Sequence, residues 1–153
     1  MTTSENGVMF ICSFEGFRAA PYPDPASGGE PITIGYGTTH YPDGAKVTMA
    51  DAMVTPIQGR SFVAADLVPV DRWLTTNVPN LNQNQHDALA SFCYNEGLHN
   101  FETSTLLKDV EAGAGSGNIV RDFEMWTKAS GRVMKGLQTR RDAEAKLFET
   151  PVA

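Results

Sequence analysis

Three polar residues in the first quarter of the chain carry side chains that could together cleave a glycosidic bond. Glu15 and Asp24 are carboxylates, and Thr33 follows them in a β-prone segment. Glycoside hydrolysis commonly uses one carboxylic acid to protonate the leaving oxygen and a second carboxylate on the other side of the bond. Taken singly, each residue has a simpler interpretation: a frayed helix end, a turn aspartate and a strand threonine.

Glu15 is placed by a helical pattern. Val8, Ile11 and Cys12 fall on the same helix face as Glu15, and Gly16 is expected to end that helix. A carboxylate that ends an apolar stripe, near the negative end of a helix dipole, is disfavoured in its ionised form. That is the condition a general acid needs, whereas a solvated helix end would carry no chemistry.

Asp24 is held by its neighbours. Pro23 and Pro25 restrict the backbone on both sides to extended or turn geometry, so the carboxylate should keep a fixed position. Thr33 offers a hydroxyl that could hold a water molecule or a sugar hydroxyl. The sequence alone does not separate these roles from ordinary turn and strand positions.

Two arginines near the end of the chain share a helix face with a carboxylate. Arg140, Arg141 and Glu144 lie on the side expected to pack inward, together with Leu137 and Phe148. Arg140 and Glu144 have the spacing of an intrahelical ion pair. The remaining arginine charge then needs another acid, and Glu15 is a candidate; an ion-paired helix with no catalytic part is the alternative.

Other reactive residue types give weaker signals. Cys12 and Cys93 both lie in apolar stretches and are expected to be buried free thiols. The three histidines lack metal-ligand spacing, so we expect no metal and no other cofactor. Trp73 and Trp126 could stack on sugars, but tryptophan at helical spacing is more often part of a core.

The elements that must position these residues suggest an α+β fold. A first helix should begin after Ser4, and residues 16–48 are rich in proline, glycine and tyrosine, which indicates a small twisted antiparallel sheet. Thr55-Pro56-Ile57-Gln58 resembles a capping box for a helix reaching toward Thr75, which Pro69 should kink or interrupt. Further helices are expected at Asn82–Tyr94, Ser104–Ala112, Ile119–Thr127 and Leu137–Phe148.

The chain is expected to form one catalytic domain, 1–153, with two lobes. A sheet lobe would span about 16–50, and a helical lobe would combine about 1–15 with 51–153. Between such lobes we expect a cleft.

Composition narrows the function. The net charge of −6 argues against a basic nucleic-acid-binding surface and gives no electrostatic attraction to an anionic cell wall. No apolar run reaches the length of a membrane span, and the first residues lack a secretory signal, which predicts synthesis in a cytoplasm. No feature indicates oligomerisation, so a monomer is expected.

Taken in order, the motifs resemble the bacteriophage lysozymes of glycoside hydrolase family 24. The resemblance covers residues 8–148, and each piece is short while the order and spacing are specific. The matching pieces are Glu15-Gly16-Phe17-Arg18, Tyr22-Pro23-Asp24, Thr33-Ile34-Gly35-Tyr36-Gly37-Thr38, Gln83-Asn84-Gln85-His86-Asp87-Ala88-Leu89, Ser91-Phe92-Cys93-Tyr94-Asn95-Glu96-Gly97, Ser104-Thr105-Leu106-Leu107 and Gly136-Leu137 with Arg140-Arg141, Glu144 and Leu147-Phe148.

The resemblance implies a two-lobed lysozyme-like fold and hydrolysis of the β-1,4 bond between N-acetylmuramic acid and N-acetylglucosamine, with inversion. Glu15 matches the family's general acid, Asp24 the carboxylate that positions the attacking water, and Thr33 the threonine that shares it. Arg140, rather than Arg141, matches the arginine that supports the catalytic glutamate.

Departures from the family pattern lie beside the site. The segment between Asp24 and Thr33 is longer than in the T-even type, and Thr38 stands where many members have histidine, so an ion pair formed there should be absent. A lytic transglycosylase, which needs only the acid, and a non-catalytic peptidoglycan-binding or virion protein are the alternatives. As an endolysin, the chain would stay in the host cytoplasm until a holin-type membrane partner gave it access to the wall in the periplasm.

Overall fold

A computed structural model describes residues 1–153 and confirms the α+β class, with seven helices and two small antiparallel sheets. In chain order the elements are α1 (Glu5–Glu15), β1 (Arg18–Tyr22), β2 (Thr33–Gly35), α2 (Pro56–Asn77), α3 (Gln83–Glu96), α4 (Leu98–Glu102), α5 (Thr105–Glu111), α6 (Ser116–Glu124), β3 (Lys128–Ala129), β4 (Arg132–Val133) and α7 (Lys135–Glu149).

The chain divides into two compact units. The sheet unit is Val8–Val68, and the helical unit combines Met1–Gly7 with Pro69–Ala153. The segment predicted as a sheet lobe, 16–50, falls within the sheet unit, whereas the assignment of the remaining chain to lobes stays a prediction. Helices α1 and α2 both run from one unit into the other.

Helix α1 begins in the helical unit, where two buried carboxylates hold its start. Ser4 caps the helix as predicted, because its hydroxyl accepts the Gly7 N–H at 3.0 Å. Asp87 accepts the Ser4 N–H and hydroxyl, and Asp71 accepts the Thr3 N–H and hydroxyl. Gly7 has no room for a side chain, since a Cβ there would lie 2.6 Å from the Asp87 Cγ.

The sheet of the sheet unit is short and irregular. Strands β1 and β2 are antiparallel, with Arg18 opposite Gly35 and Tyr22 opposite Thr33, and the register shifts between these pairs. An isolated bridge joins His40 to Lys46 and extends the antiparallel pattern beyond β2. The predicted antiparallel sheet is therefore present, although little of it is regular strand.

Helix α2 begins at the predicted capping box and ends two residues later than expected, at Asn77. The Thr55 N–H donates to the Gln58 side chain, and the Gln58 N–H donates back to the Thr55 hydroxyl. Pro69 does not interrupt this helix, so that part of the prediction is wrong, whereas the kink stays a prediction. One proline removes a single helical hydrogen bond, and the helix continues through it with buried Leu67 and Leu74 on either side.

The helical unit holds most of the large buried aromatic rings. Phe92 packs edge-on against Phe101, Phe123 and Trp126, with ring centroids 5.5 to 5.9 Å apart. Trp73 packs against Phe101. Both tryptophans thus contact core rings, as the pattern favoured, although each remains partly exposed.

Two elements of the helical unit were not predicted. Helix α4 follows α3 after Gly97, and the β3–β4 hairpin turns through Ser130 and Gly131, both with positive φ. Each strand of that hairpin has only two exposed residues, so no alternating apolar pattern marks it in the sequence. No helix of the chain combines the length and apolar character needed to cross a membrane.

Candidate active site

Glu15 is the last residue of α1 and lies in the sheet unit. The apolar stripe that precedes it is buried as predicted, with Ile11 fully inaccessible, and the Glu15 side chain is partly exposed at its end. Gly16 follows in the left-handed conformation, with φ of 68°, which ends the helix at that point. Because the Glu15 side chain is partly exposed, its carboxylate can still contact a substrate.

The Glu15 carboxylate lies against the turn that follows β2. A Cβ built on Gly37 would lie 4.0 Å from the Glu15 Oε2 atom, and Gly37 has a φ of 91°. The backbone conformation, more than the space, favours glycine at this position. Gly37 belongs to a motif in the sequence, but its nearness to Glu15 was not predicted, because β1 and β2 separate the two residues along the chain.

Asp24 sits in a closed turn just after β1. Its N–H donates to the Gly29 carbonyl at 2.9 Å, and its own carbonyl accepts the Gly28 N–H. The Asp24 Oδ1 atom accepts the Ala26 N–H at 3.1 Å, which is an Asx-turn. The carboxylate is therefore oriented by its own loop and remains partly exposed, as the prediction of a stiff loop requires.

The register of the sheet places Thr33 opposite a residue near Asp24. Thr33 pairs with Tyr22, and Asp24 follows Tyr22 by two residues. The Thr33 hydroxyl donates to the Pro31 carbonyl over 3.4 Å, a long and weak bond that leaves the hydroxyl oxygen able to accept from water. Among the three candidate residues of the sheet unit, Glu15 ends α1, Asp24 follows β1 and Thr33 begins β2.

Arg140 and Arg141 lie in the helical unit, and their predicted inward orientation is confirmed. They are 4% and 0% exposed, and Glu144 is 0% exposed. Arg140 Nε lies 3.1 Å from Glu144 Oε1, the predicted intrahelical pair, and Arg141 Nη1 lies 2.9 Å from Glu96 Oε1. Ser91 donates to Glu144 at 2.6 Å. The pairing of an arginine with Glu15 stays a prediction.

Burial shifts the pKa values of Glu144 and Arg141 in this ion network toward their neutral forms. It raises the pKa of Glu144 above its usual value, opposed by the charges of Arg141 and Arg140 and by the Ser91 hydrogen bond. Burial also lowers the pKa of Arg141, opposed by Glu144 and Glu96. The guanidinium of Arg141 further lies over the Phe92 ring, 4.9 Å from its centroid.

The cysteines offer no second nucleophile. Cys12 and Cys93 are free and buried, as predicted. Burial raises the pKa of the Cys12 thiol to about 11, and burial likewise raises the pKa of Cys93. Since the thiolate is the reactive form, neither group is poised for catalysis near neutral pH.

Two further polar side chains are buried. His86 lies 2.8 Å from Asp71 and is almost fully buried, in the cluster that holds the start of α1. Thr38 is 1% exposed, and its hydroxyl has no hydrogen-bond partner. Asp71 bonds to His86, 15 positions away in the sequence, and to Thr3, 68 positions away. No local sequence pattern predicts contacts over such separations.

Comparisons with known proteins agree with this architecture. The family model described as "Phage lysozyme" matches residues 12–144. An endolysin of Acyrthosiphon pisum secondary endosymbiont phage 1 is 37% identical over 155 aligned positions, which cover 98% of this chain and 99% of that protein. The chain also matches two Bacillus phage endolysins, of whose length it spans 56% and 55%.

Solved structures show the same fold. A P22 lysozyme mutant is similar with a TM-score of 0.83 and 31% identity, covering 98% of this chain and 99% of that one. The muramidase domain of SpmX from Asticaccaulis excentricus is similar with a TM-score of 0.75 and 33% identity, covering 98% and 99%.

Proposed function

The chain belongs to the phage lysozyme family, and we propose that Glu15, Asp24 and Thr33 are the residues with which it cuts the peptidoglycan glycan strand. It is a glycoside hydrolase of the lysozyme type, an endolysin that hydrolyses the β-1,4 bond between N-acetylmuramic acid and N-acetylglucosamine. One endolysin relative that is matched along 99% of its length, and a similar muramidase domain, support this activity.

The placement of the three residues supports these roles. Glu15 lies against the turn after β2, and the pairing of Tyr22 with Thr33 brings Asp24 and Thr33 to one end of that same sheet. The placement of all three groups around one short sheet, β1–β2, is the observation that carries the proposal. The sheet unit therefore supplies all three groups, and no metal or other cofactor is required.

The reaction is a single displacement that inverts the anomeric carbon. Glu15 gives its proton to the leaving oxygen of N-acetylglucosamine as the bond to C1 of N-acetylmuramic acid breaks. A water molecule held by the Thr33 hydroxyl attacks C1 and passes a proton to Asp24. Solvent then returns a proton to Glu15 and removes the one on Asp24, which the partial exposure of both side chains permits.

We further propose that Arg140 forms the supporting ion pair with Glu15, and that Arg141 supports Arg140. The resemblance to the family supports this role, and so does the order that Glu144, Ser91 and Glu96 impose on the two guanidinium groups. Arg140→Lys should keep the fold and slow hydrolysis, because lysine lacks the planar fork. Unchanged turnover by this variant would remove Arg140 from the site.

Glu15→Gln tests the assignment of the acid. The amide keeps the shape of the side chain but cannot donate a proton, so release of reducing ends from purified peptidoglycan should fall by about a thousandfold or more. Thermal unfolding should be nearly unchanged. Glu5→Gln, at the exposed start of the same helix, is the matched control and should keep full activity. Near-normal turnover by Glu15→Gln would exclude Glu15 as the acid.

The mass of the products separates hydrolysis from the transglycosylase alternative. Hydrolysis adds one water to each cleaved bond, whereas a transglycosylase closes an anhydro ring on N-acetylmuramic acid. We expect only the hydrated products, because Asp24 and Thr33 provide for a water molecule. Anhydro products would contradict hydrolysis and indicate a lytic transglycosylase.

Access to the substrate is a separate proposal. We infer that the monomeric chain remains in the host cytoplasm until a holin-type membrane partner lets it reach the wall in the periplasm; its similarity to endolysins supports this route. Expression of the chain alone in a bacterial cytoplasm should then leave cells intact until the inner membrane is permeabilised. Spontaneous lysis without a membrane-opening protein would contradict this requirement.

A further inference from the structure

The β3–β4 hairpin and the residues that flank it, 125–135, form an exposed cationic segment of the helical unit, which we call the cationic hairpin. It holds three of the twelve Lys and Arg residues and none of the eighteen Asp and Glu residues, in a chain whose net charge is −6. Lys128, Arg132 and Lys135 are all exposed, and none of them forms an ion pair. Their charges are therefore available to a partner outside the chain.

The cationic hairpin also exposes large apolar side chains. Met125, Val133 and Met134 are 60%, 59% and 47% exposed. Residues 128–136 are exposed without interruption. A single exposed hydrophobic residue is common on protein surfaces, but three of them among unpaired cations in one short segment indicate a contact surface.

The backbone of the hairpin is tightly closed. Ser130 and Gly131 form its turn with φ of 51° and 76°, the positive values that a two-residue turn between antiparallel strands requires. The Met134 N–H donates to the Thr127 carbonyl at 2.8 Å, which extends the ladder beyond the two named strands. The exposed side chains are therefore presented by a paired hairpin rather than by an irregular loop.

Both faces of the hairpin combine a cation with an apolar side chain. Opposite residues of antiparallel strands carry their side chains on the same face, so Lys128 lies with Val133 on one face and Arg132 lies with Ala129 on the other. A rigid protein partner would cover one face and leave the other in water. A bilayer interface surrounds an inserted hairpin, and it offers an apolar phase to some side chains while lysine and arginine extend toward phosphate groups.

We propose that the cationic hairpin docks the chain on an anionic phospholipid surface. Val133 and Met134 enter the boundary between headgroups and acyl chains, and Lys128 and Arg132 pair with lipid phosphates. All eighteen Asp and Glu residues lie outside the hairpin, so an anionic surface repels the rest of the chain and turns the hairpin toward itself.

The apolar side chains distinguish a lipid surface from other polyanions. Nucleic acids and anionic wall polymers would attract Lys128, Arg132 and Lys135 equally well. Their phosphate-rich chains offer no apolar phase to Val133 and Met134, which would stay in water at the cost that exposed apolar surface carries. Of these partners, only the bilayer satisfies both kinds of side chain.

Cosedimentation with lipid vesicles tests the charged part of the surface. Vesicles of phosphatidylcholine and phosphatidylglycerol in roughly equal parts should bind the chain, and vesicles of phosphatidylcholine alone should not. Lys128→Gln combined with Arg132→Gln should weaken binding to the anionic vesicles by about twentyfold or more, since each cation near such a surface contributes about fivefold. Arg72→Gln combined with Lys108→Gln removes the same charge from other exposed positions of the helical unit, and this matched control should bind nearly as the unsubstituted chain does.

Val133→Ser tests the apolar part while keeping every charge of the hairpin. It should weaken binding to the anionic vesicles by about threefold, because part of the apolar burial is lost, and leave binding to polyphosphate, a soluble polyanion, unchanged. Val152→Ser, at another exposed valine of the helical unit, is the matched control and should alter neither affinity. All the substituted side chains are exposed, so thermal unfolding should show that each variant keeps the fold.

Three results would overturn the inference. Failure to bind the anionic vesicles, or equal binding to both kinds of vesicle, would show that no anionic lipid surface is recognised. Unchanged binding by the double variant at Lys128 and Arg132 would place the contact elsewhere on the chain. Unchanged binding by Val133→Ser, with polyphosphate bound as tightly as the vesicles, would indicate a general polyanion site of the kind that nucleic acids use. The vesicles contain no peptidoglycan, so each of these results is independent of the proposed hydrolysis.

Discussion

The two units use the same kinds of side chain in opposite ways. In the sheet unit, Glu15 and Asp24 are partly exposed, and the Thr33 hydroxyl makes one long hydrogen bond. In the helical unit, Glu144 is fully buried between Arg140 and Arg141 and accepts a short bond from Ser91. Hydrolysis needs carboxylates that can exchange protons with water, whereas the buried network needs carboxylates that keep their partners. Exposure, rather than residue type, separates the proposed chemistry from the framework.

The largest expected effect on stability comes from the buried network. Glu144→Gln removes the central negative charge and leaves two buried guanidinium groups with too few partners, so unfolding in urea should show a loss of about 3–5 kcal/mol. Glu124→Gln, on the exposed face of α6, should change stability by less than about 0.5 kcal/mol. A loss below about 1 kcal/mol for Glu144→Gln would mean that the two units do not differ in the way described.

The next effect is on turnover and belongs to the sheet unit. Asp24→Asn should lower kcat by about a hundredfold, because the amide cannot accept a proton from water. Stability should hardly change, since asparagine can keep the Asx-turn with Ala26. Asp43→Asn is a close control, because Asp43 makes the same turn with Ala45 in the same unit. Full activity in Asp24→Asn would point to another base.

The dependence of stability on acid pH tests whether Asp71, a buried carboxylate of the helical unit, is charged in the folded protein. Burial would raise the pKa of Asp71, but hydrogen bonds from His86 and Thr3 outweigh it and hold that pKa below its usual value. A depressed folded-state pKa stabilises the fold above the unfolded pKa of about 3.9, and this contribution is lost as the pH falls through the folded value.

Asp71→Asn should therefore cost about 1.5–3 kcal/mol at neutral pH, the worth of a hydrogen bond to a charged group. The difference from the unsubstituted chain should shrink as urea unfolding is repeated from pH 5 toward pH 2. Asp142→Asn, on the exposed face of α7, is the control and should show no such convergence. A difference that stays constant across this range would mean that Asp71 is not a charged partner in the fold.

Local rules account for what the sequence predicted well. The cap at Ser4, the reciprocal bonds of Thr55 with Gln58 and the stop at Gly16 each depend on residues within one helical turn. The buried stripe before Glu15 and the inward face of α7 follow from helical periodicity. These features are predictable because their physical causes lie within a few residues.

What the sequence did not predict depends on long-range partners. Arg141 meets Glu96, and Asp71 meets both Thr3 and His86, across separations that no periodicity links. Pro69 was given too much weight, since neighbouring buried residues sustain α2 through one missing hydrogen bond.

The smallest predicted effect is at Thr38, a buried hydroxyl of the sheet unit, and it contrasts with the effect at a buried hydroxyl of the helical unit. Thr38 in the sheet unit is buried with no partner for its hydroxyl, whereas the Ser91 hydroxyl in the helical unit donates to Glu144 at 2.6 Å. A buried polar group without a partner bears the full cost of leaving water, so Thr38→Val, which keeps the shape, should stabilise the fold by about 1 kcal/mol. Ser91→Ala should destabilise it by about 1.5–3 kcal/mol, since it removes a bond to a charged acceptor. Urea unfolding of the two variants must then show changes of opposite sign; destabilisation by both would mean that Thr38 contributes a bond as Ser91 does, and that the units do not differ in how fully their buried hydroxyls are satisfied.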